Sequence, residues 1–314
     1  MSSSFWPLIK LVPAQTHFKF TRLAPYAAIV SGLAVIASIA CFFTVGLNLG
    51  LDFKGGTVIE FTTKGPAPLA EMRAALDKAG VKDPQVQGLG APNTAKLSYL
   101  PTGEDPTAGV PKLEAQLAQQ FPGIQFKPAT AVGGKVSGEL FVQGMEALGI
   151  AVALMLVYIW FRFQLQFGLG AVIAIFHDLI LTVGILSVLH IEFSMTSIAA
   201  LLTIIGYSMN EKVITFDRLR ENLRKYKRTA LRDIIDLSEN ERLSRTLITG
   251  STALLALGGM LFLGGQALFP LVFAMVFGII IGTYSSIYVA LPIILVWGVK
   301  RNDDEAKPLQ PARP

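Results

Sequence analysis

The sequence predicts an α-helical membrane protein with six transmembrane helices and one extracytoplasmic α+β domain, ferredoxin-like (βαββαβ), between helices 1 and 2. Hydrophobic residues make up 52% of the 314 residues and charged residues only 16%, whereas a soluble domain carries roughly 25% charged residues. Several apolar stretches are long enough for a crossing, which takes about 20 residues. This composition argues against a soluble enzyme or a disordered chain, and the single cysteine, Cys41, excludes a disulfide framework and a Cys-rich metal site.

The six predicted helices follow from the apolar stretches. The first is uncharged, and the next three are interrupted only by isolated ionisable residues. These four stretches are 26–47, 140–161, 167–191 and 193–216. The uncharged stretch 246–299 is too long for one crossing. We therefore expect a hairpin at Gly264-Gly265-Gln266 to divide it into the last two helices.

The segment between helices 1 and 2 differs in composition from the rest of the chain. It contains nine basic and nine acidic residues over 52–139, so it is neutral and polar enough to fold in water. Apolar periodicities along it predict the order strand–helix–strand–strand–helix–strand, which fits a ferredoxin-like sandwich.

The predicted organisation of the whole chain follows from these divisions. Its parts are a cytoplasmic N-terminal segment (1–25), helix 1 (26–47), an extracytoplasmic α+β domain (52–139), helices 2–6 (140–299) with a basic cytoplasmic loop (218–245), and a disordered cytoplasmic tail (300–314).

Basic residues in the short loops predict the orientation. The loop 218–245 holds nine basic residues against five acidic ones, and loops rich in Lys and Arg face the cytoplasm. Both termini then lie in the cytoplasm and the domain 52–139 lies outside. Within the loop, Ser238 and Glu241 have the spacing of a capping box, which predicts the start of the fifth helix there.

Ionisable residues inside the predicted helices are the candidate functional residues, since each is costly in lipid. Glu211 lies in the fourth helix, with Tyr207 and Ser208 on the same face to orient its carboxyl group. A proton-exchanging role and a static pair with Arg245 or Lys212 are both open. Lys212 is expected to extend its long side chain to the cytoplasmic surface.

A second pair, His177 and Asp178, lies midway along the third helix. A proton relay and a structural hydrogen bond are both open for it. Together with Ser208 these residues do not form a nucleophilic triad, because adjacent His and Asp residues do not give its geometry. Gly133-Gly134-Lys135 lacks the spacing of a phosphate-binding loop. We therefore predict no catalytic site, metal or cofactor.

Three motifs resemble those of the SecD/SecF family of protein-export subunits. The stretch Gly50-Leu51-Asp52-Phe53-Lys54-Gly55-Gly56-Thr57 is similar to the family's signature after the first helix. The fourth-helix motif is matched from Gly206 to Asn222, and the sixth-helix motif from Gly282 to Ser286. The signature residues matched are Asp52, Gly55, Gly56, Tyr207, Ser208, Asp217, Arg218, Gly282, Ser285 and Ser286.

The resemblance implies a function. It indicates a six-helix member of the resistance-nodulation-division superfamily in the bacterial inner membrane, which is a translocase subunit and not an enzyme. Such a subunit pairs with SecD beside the SecYEG channel and the SecA motor, commonly with YajC. It contacts lipid and the translocating polypeptide, binds no nucleic acid, and uses the proton motive force to complete translocation.

The resemblance also implies the ion-coupling residues. Glu211 aligns with the family's intramembrane acidic residue, and Arg245 aligns with the arginine that pairs with this acidic residue. Asp178 and Asn210 complete the predicted coupling set.

The chain departs from the family pattern at one point of this set. The family usually carries Asn-Asp-Thr where this chain has Asn210-Glu211-Lys212. Glutamate keeps the titratable group, while the lysine places a cation beside it and stabilises the carboxylate. This feature favours one alternative, a structural scaffold that stabilises SecD without conducting ions. The other alternative is a small-molecule exporter of the same superfamily.

Overall fold

The computed structural model describes residues 16–89, 91–101 and 107–299. The predicted tail, 300–314, and the first fifteen residues of the predicted N-terminal segment lie outside the described residues. In chain order the elements are α1 (Phe20–Thr44), β1 (Asn48–Leu49), α2 (Leu51–Lys54), β2 (Gly56–Thr62), α3 (Leu69–Lys78), β3 (Lys82–Gly88), β4 (Thr94–Leu100), α4 (Val110–Gln120), β5 (Gln125–Phe126), β6 (Thr130–Val132), α5 (Gly134–Arg162), α6 (Leu165–Val188), β7 (Glu192–Phe193), α7 (Met195–Lys225), α8 (Leu231–Leu263), α9 (Gly265–Ser285), a π-helical turn (Ser286–Ala290) and α10 (Leu291–Trp297).

Long apolar helices dominate the chain. Among the described residues, five segments are long and apolar enough to cross a membrane: Phe20–Thr44, Val136–Arg162, Leu165–Val188, Leu231–Leu263 and Leu268–Trp297. The last combines most of α9 with the π-helical turn and α10. The remaining long helix, α7, has 31 residues. It carries more charged residues than the other five, and two of them, Glu211 and Lys212, are buried in the bundle.

The α7–α8 connection is shorter than the sequence predicts. Much of the predicted basic loop, 218–245, is helical, because α7 continues to Lys225 and α8 begins at Leu231. The predicted capping box is wrong for the same reason. Ser238 lies inside α8 and donates to the Ile234 carbonyl oxygen (2.7 Å), as serine does within a helix. Ile234 and Ile235 are buried, so packing extends the helix through this segment.

The polar segment after α1 folds around its own core. Its strands form an antiparallel sheet in the order β3-β4-β2-β5, with β6 also paired to β2. Alternate residues of β2, such as Ile59 and Phe61, point into this core. Met72 and Leu76 of α3 and Leu113 and Leu117 of α4 cover it, which explains the helical spacing of these apolar residues.

A short parallel strand pair connects this domain to the helical bundle. Asn48 of β1 lies opposite Glu192 of β7, and Leu49 lies opposite Phe193. Because β1 follows α1 and β7 precedes α7, the strand pair connects the beginning of α7 to the segment that leads from α1 into the domain.

Glycines allow the bundle helices to approach closely. A Cβ atom on Gly170 of α6 would lie 2.8 Å from the Ala290 carbonyl oxygen of the π-helical turn. A Cβ atom on Gly282 of α9 would lie 3.4 Å from the Ser208 Cβ atom of α7. Small residues of this kind bring polar groups of neighbouring membrane helices within hydrogen-bonding distance.

Candidate functional site

Among the described residues, one buried polar cluster joins α6, α7 and α9 around the Asp178 carboxylate. Its Oδ2 atom accepts hydrogen bonds from Lys212 Nζ (2.9 Å), Ser208 Oγ (2.6 Å) and Ser285 Oγ (2.7 Å). Lys212 also contacts the hydroxyl oxygens of Ser208 (2.5 Å) and Ser285 (3.0 Å). The exposed fractions of Asp178 and Lys212 are 1% and 0%. We call these four residues the aspartate cluster.

Lys212 therefore does not extend to the cytoplasmic surface, and that prediction is wrong. Ser208 on α7, Ser285 on α9 and the carboxylate on α6 supply its ammonium group with partners inside the bundle. A buried charge with a counter-ion and hydrogen bonds is tolerated, whereas removing one partner leaves an uncompensated charge.

The second cluster joins α7, α8 and the π-helical turn around the Arg242 guanidinium. Arg242 Nε donates to Glu239 Oε1 (2.7 Å), and Nη2 lies 2.6 Å from Glu239 Oε2. Nη1 contacts Glu211 Oε2 at 3.5 Å and donates to Thr246 Oγ1 at 2.8 Å. Ser286 Oγ accepts from Nη2 (3.0 Å). All five residues are buried, and we call them the arginine cluster.

Arg242, and not Arg245, is the cation beside Glu211, so the predicted pair is wrong. Both arginines lie on α8, and Arg242 is buried in the bundle. Arg245 is exposed. Asn210, another predicted coupling residue, is also exposed. Sequence reasoning missed Glu239 and Arg242, although their i,i+3 spacing on a helix was a usable signal of an ion pair.

The two clusters are built from consecutive residues on two helices. On α7, Glu211 belongs to the arginine cluster and Lys212 to the aspartate cluster. At the end of α9, Ser285 bonds to Asp178, while the next residue, Ser286, accepts from Arg242. A displacement of either segment therefore changes both clusters at once.

The residues predicted to orient Glu211 have other partners. Ser208 donates to Asp178, and the Tyr207 hydroxyl group lies 3.4 Å from Thr283 Oγ1. His177 Nδ1 lies 2.9 Å from Asp178 Oδ1, and its ring stacks on Tyr284. Within the described residues the buried His177 Nε2 atom has no hydrogen-bond partner.

The signature residues after α1 lie at the other end of α7. Asp52 Oδ2 accepts a hydrogen bond from the backbone N–H of Met195, the first residue of α7 (3.1 Å). A carboxylate at a helix N-terminus is favoured by the helix dipole. Gly55 and Gly56 have φ angles of 74° and 148°. A Cβ atom on Gly56 would lie 2.7 Å from the Tyr99 carbonyl oxygen, so this close turn requires glycine.

The remaining signature residues form ion pairs near the C-terminal end of α7. Asp217 accepts two contacts from Arg162 Nη2, at 2.6 and 2.7 Å. Arg218 contacts Glu221 and Glu241 at 2.7 Å each. These residues are partly exposed, and they connect α7 to α5 and α8. Among the described residues, no group of three or more His, Cys, Asp or Glu side chains is arranged to hold a metal ion.

Long apolar helices enclosing two charged clusters define a multi-pass membrane protein. Residues 112–300 match the family described as "Protein export membrane protein SecD/SecF, C-terminal", and residues 42–67 match the SecD/SecF GG motif. The chain belongs to the SecD/SecF family of protein-export membrane proteins, as its motifs predict.

Individual relatives cover nearly the whole chain. It is 42% identical to protein translocase subunit SecF of Rhodobacter capsulatus, over 96% of this chain and 95% of the relative. It is 36% identical to protein translocase subunit SecF of Rickettsia bellii, over 93% of this chain and 97% of the relative. The crystal structure of SecDF from Thermus thermophilus is similar with a TM-score of 0.79 and 30% identity. That match covers 91% of this chain and 39% of the SecDF chain.

Proposed function

We propose that this chain is an auxiliary subunit of Sec protein export in the bacterial inner membrane. It works with SecD, beside the SecYEG channel and SecA and together with YajC, and uses the proton motive force to complete polypeptide translocation. The relatives named protein translocase subunit SecF and the similarity to SecDF support the export role. The observation that carries ion coupling is the presence of two buried charged clusters shared by α6, α7, α8 and the end of α9.

The proposed topology has six transmembrane helices, with α7 as the additional one. At a rise of 1.5 Å per residue, its 31 residues exceed the length of a crossing. Its buried charged residues, Glu211 and Lys212, contact side chains on neighbouring helices, so they do not face lipid. The basic α7–α8 region places both termini in the cytoplasm. The domain 52–139 is then periplasmic, and its strand order of β3-β4-β2-β5 supports a ferredoxin-like fold.

Ion coupling follows from the position of the clusters. Protonation of a carboxylate removes its attraction for the paired cation, so helices that share the cluster change their packing. A membrane potential biases such a step by roughly 2.3 kcal/mol per charge for each 100 mV. Of the predicted coupling residues, Glu211 and Asp178 stay in this proposal, whereas Arg242 replaces Arg245 as the cation beside Glu211.

Contacts at the beginning of α7 offer a route from these clusters to the periplasmic domain. Asp52 bonds to the N–H group of Met195, and Gln87 of β3 donates to Glu192 just before α7 (2.5 Å). A shift of α7 along its axis would therefore be transmitted to the domain.

The test is the release of an exported protein from sealed membranes with and without a proton gradient. We expect Glu211→Gln and Asp178→Asn each to abolish the response to the gradient. The first variant cannot exchange a proton at position 211, and the second leaves Lys212 without the counter-ion that joins α6 to α7. Asp217→Asn is the matched control, since it neutralises a partly exposed carboxylate on the same helix. Gradient-dependent release that persists in both core variants would contradict ion coupling by this chain.

Two alternatives remain distinct candidates. Static ion pairs within the bundle favour a scaffold that stabilises SecD, which predicts that Glu211→Gln weakens co-purification with SecD and leaves gradient dependence in the assembled complex. A small-molecule exporter would co-purify with an outer-membrane partner and not with SecD and the SecY channel.

A further inference from the structure

The bundle buries more acidic than basic side chains. Among the described residues, those with exposed fractions below 5% include the acids Asp178, Glu211 and Glu239 and the cations Lys212 and Arg242. An unbalanced charge in the interior is strongly unfavourable, and such a group is neutralised instead. One proton must therefore reside on one of these acids, or on His177.

Asp178 is the least suitable acid for this proton. Three donors from Lys212, Ser208 and Ser285 converge on its Oδ2 atom, and His177 Nδ1 lies 2.9 Å from Oδ1. Hydrogen bonds to the charged form of a carboxyl group favour that form. Asp178 and Lys212 thus balance each other, which leaves two glutamates for one arginine.

Arg242 divides its contacts unequally between the two glutamates. Its Nε atom donates a hydrogen bond to Glu239 Oε1 (2.7 Å), and its Nη2 atom lies 2.6 Å from Glu239 Oε2. The second contact is an ion pair without hydrogen-bond geometry, so Oε2 has no hydrogen-bond partner within the described residues. Its contact with Glu211 is a single one at 3.5 Å. Glu239 is therefore the ionised member, and Glu211 is the member that holds the proton.

The other polar groups near Glu211 and Glu239 do not supply the positive charge that would balance both carboxylates. Asp236 on α8 is half-buried and accepts two hydrogen bonds from Thr21 of α1, each 2.8 Å long. Tyr207 on α7 and Tyr288 in the π-helical turn carry phenol groups, which are neutral near pH 7. Lys212 follows Glu211 directly on α7, but its contacts are with Asp178 and two serines.

We propose that Glu239 is a positioning residue that competes with Glu211 for Arg242, so that the two glutamates share one exchangeable proton. The proton resides on Glu211 while Arg242 binds Glu239, and on Glu239 when Arg242 turns to Glu211. The cluster then has the same net charge in both arrangements. The proposal refines the proposed ion-coupling function and assigns a role to Glu239, which the family motifs leave out.

Infrared spectroscopy of the full chain in lipid vesicles tests the proposal, because a protonated carboxyl group has a C=O band that shifts in heavy water. We expect this band near neutral pH in the unmodified protein and its loss in Glu211→Gln. We also expect its loss in Glu239→Gln, although Glu211 is intact, because Arg242 then pairs fully with Glu211. Glu239→Asp should restore the band. Asp233→Asn, which alters an exposed acid on the same helix, should leave it unchanged.

Three results would overturn the proposal. The first is a band that survives Glu239→Gln, and the second is an unmodified protein with no protonated carboxyl band. The third is an imidazolium signal that disappears in His177→Gln, since the histidine would then balance the charge. If Glu239→Gln does not fold, Arg242→Gln gives a second test. Without the arginine both glutamates must be protonated, so a second carboxyl signal should appear. An unchanged carboxyl signal in Arg242→Gln would refute the shared proton.

The outcome is separable from that of the export assay. A shared proton together with gradient-independent release would leave this inference standing and remove the proposed coupling. Gradient-dependent release without a protonated carboxyl group would remove this inference and leave the proposed coupling standing.

Discussion

At the scale of single residues, the partners of buried charges come from distant parts of the chain. The sequence shows that Asp178, Glu211 and Lys212 lie in apolar surroundings, which is enough to mark them as candidates. It does not show that Lys212 faces a carboxylate 34 residues earlier and a serine 73 residues later. Extension of Lys212 to the surface was a reasonable prediction for an isolated helix, and it failed because the bundle supplies these partners.

Replacing Lys212 by methionine should destabilise the protein strongly. The change keeps the volume but leaves Asp178 buried without its cation, and breaking a buried ion pair costs about 3–5 kcal/mol. Thermal unfolding of the purified protein in detergent measures the effect. The double variant Asp178→Asn/Lys212→Met should recover most of the loss, because neither charge is then left alone.

Lys225→Met is the control for this measurement. Lys225 is exposed near the end of the same helix, so its replacement should change the free energy of unfolding by less than about 0.5 kcal/mol. Equal stability of the two single variants would show that the buried pair contributes nothing to the fold.

At the scale of elements, the long apolar helices and the strand–helix order of the polar segment were accessible from periodicity. The start of α8 was not accessible in this way, and neither was the arginine beside Glu211, because the resemblance implied Arg245 and the structure places Arg242 there. A local serine–glutamate spacing predicted a cap at Ser238, whereas burial of Ile234 and Ile235 carries the helix back to Leu231. The local sequence indicated a helix cap at Ser238, but packing against other helices determines where α8 begins. The same packing determines which α8 side chains point into the bundle.

Close approach of α6 to the π-helical turn should be sensitive to a single methyl group. In Gly170→Ala, the new Cβ atom would lie 2.8 Å from the backbone oxygen of Ala290, which no side-chain rotation can relieve. We expect a lower thermal unfolding midpoint, equivalent to about 1–3 kcal/mol. Gly149→Ala on α5 is the matched control, because a Cβ atom there meets nothing within 4 Å.

This control should behave in the opposite sense. Alanine has a higher helix propensity than glycine by about 1 kcal/mol, so Gly149→Ala should match or exceed the stability of the unmodified protein. If Gly170→Ala is as stable as Gly149→Ala, the contact between α6 and the π-helical turn is looser than the structure indicates.

At the scale of the whole molecule, family membership was the most predictable property, because the motifs follow one another along the chain in the family's order. The way the domain rests on the bundle was the least predictable. It depends on a hydrogen bond between Gln87 and Glu192, which are 105 positions apart in the sequence. Neither residue belongs to a motif or a periodic pattern that predicts this contact. Glu192 also fits closely against Gly50, where a Cβ atom would lie 2.7 Å from its Oε1 atom. These contacts hold the domain over the beginning of α7.

Removal of this contact should therefore free the domain without unfolding it. In Glu192→Ala, Gln87 loses its acceptor while the hydrogen bonds of the β1–β7 pair remain, so the domain keeps its attachment but gains freedom of orientation. Spin labels on the exposed positions 78 and 263, in a variant with Cys41 replaced by serine, report the distance between the domain and the end of α8. We expect a broader distance distribution in Glu192→Ala. Glu60→Ala, which removes an ion pair with Lys127 inside the domain, should leave the distribution unchanged; equal widths in both variants would mean that the Gln87–Glu192 contact does not orient the domain.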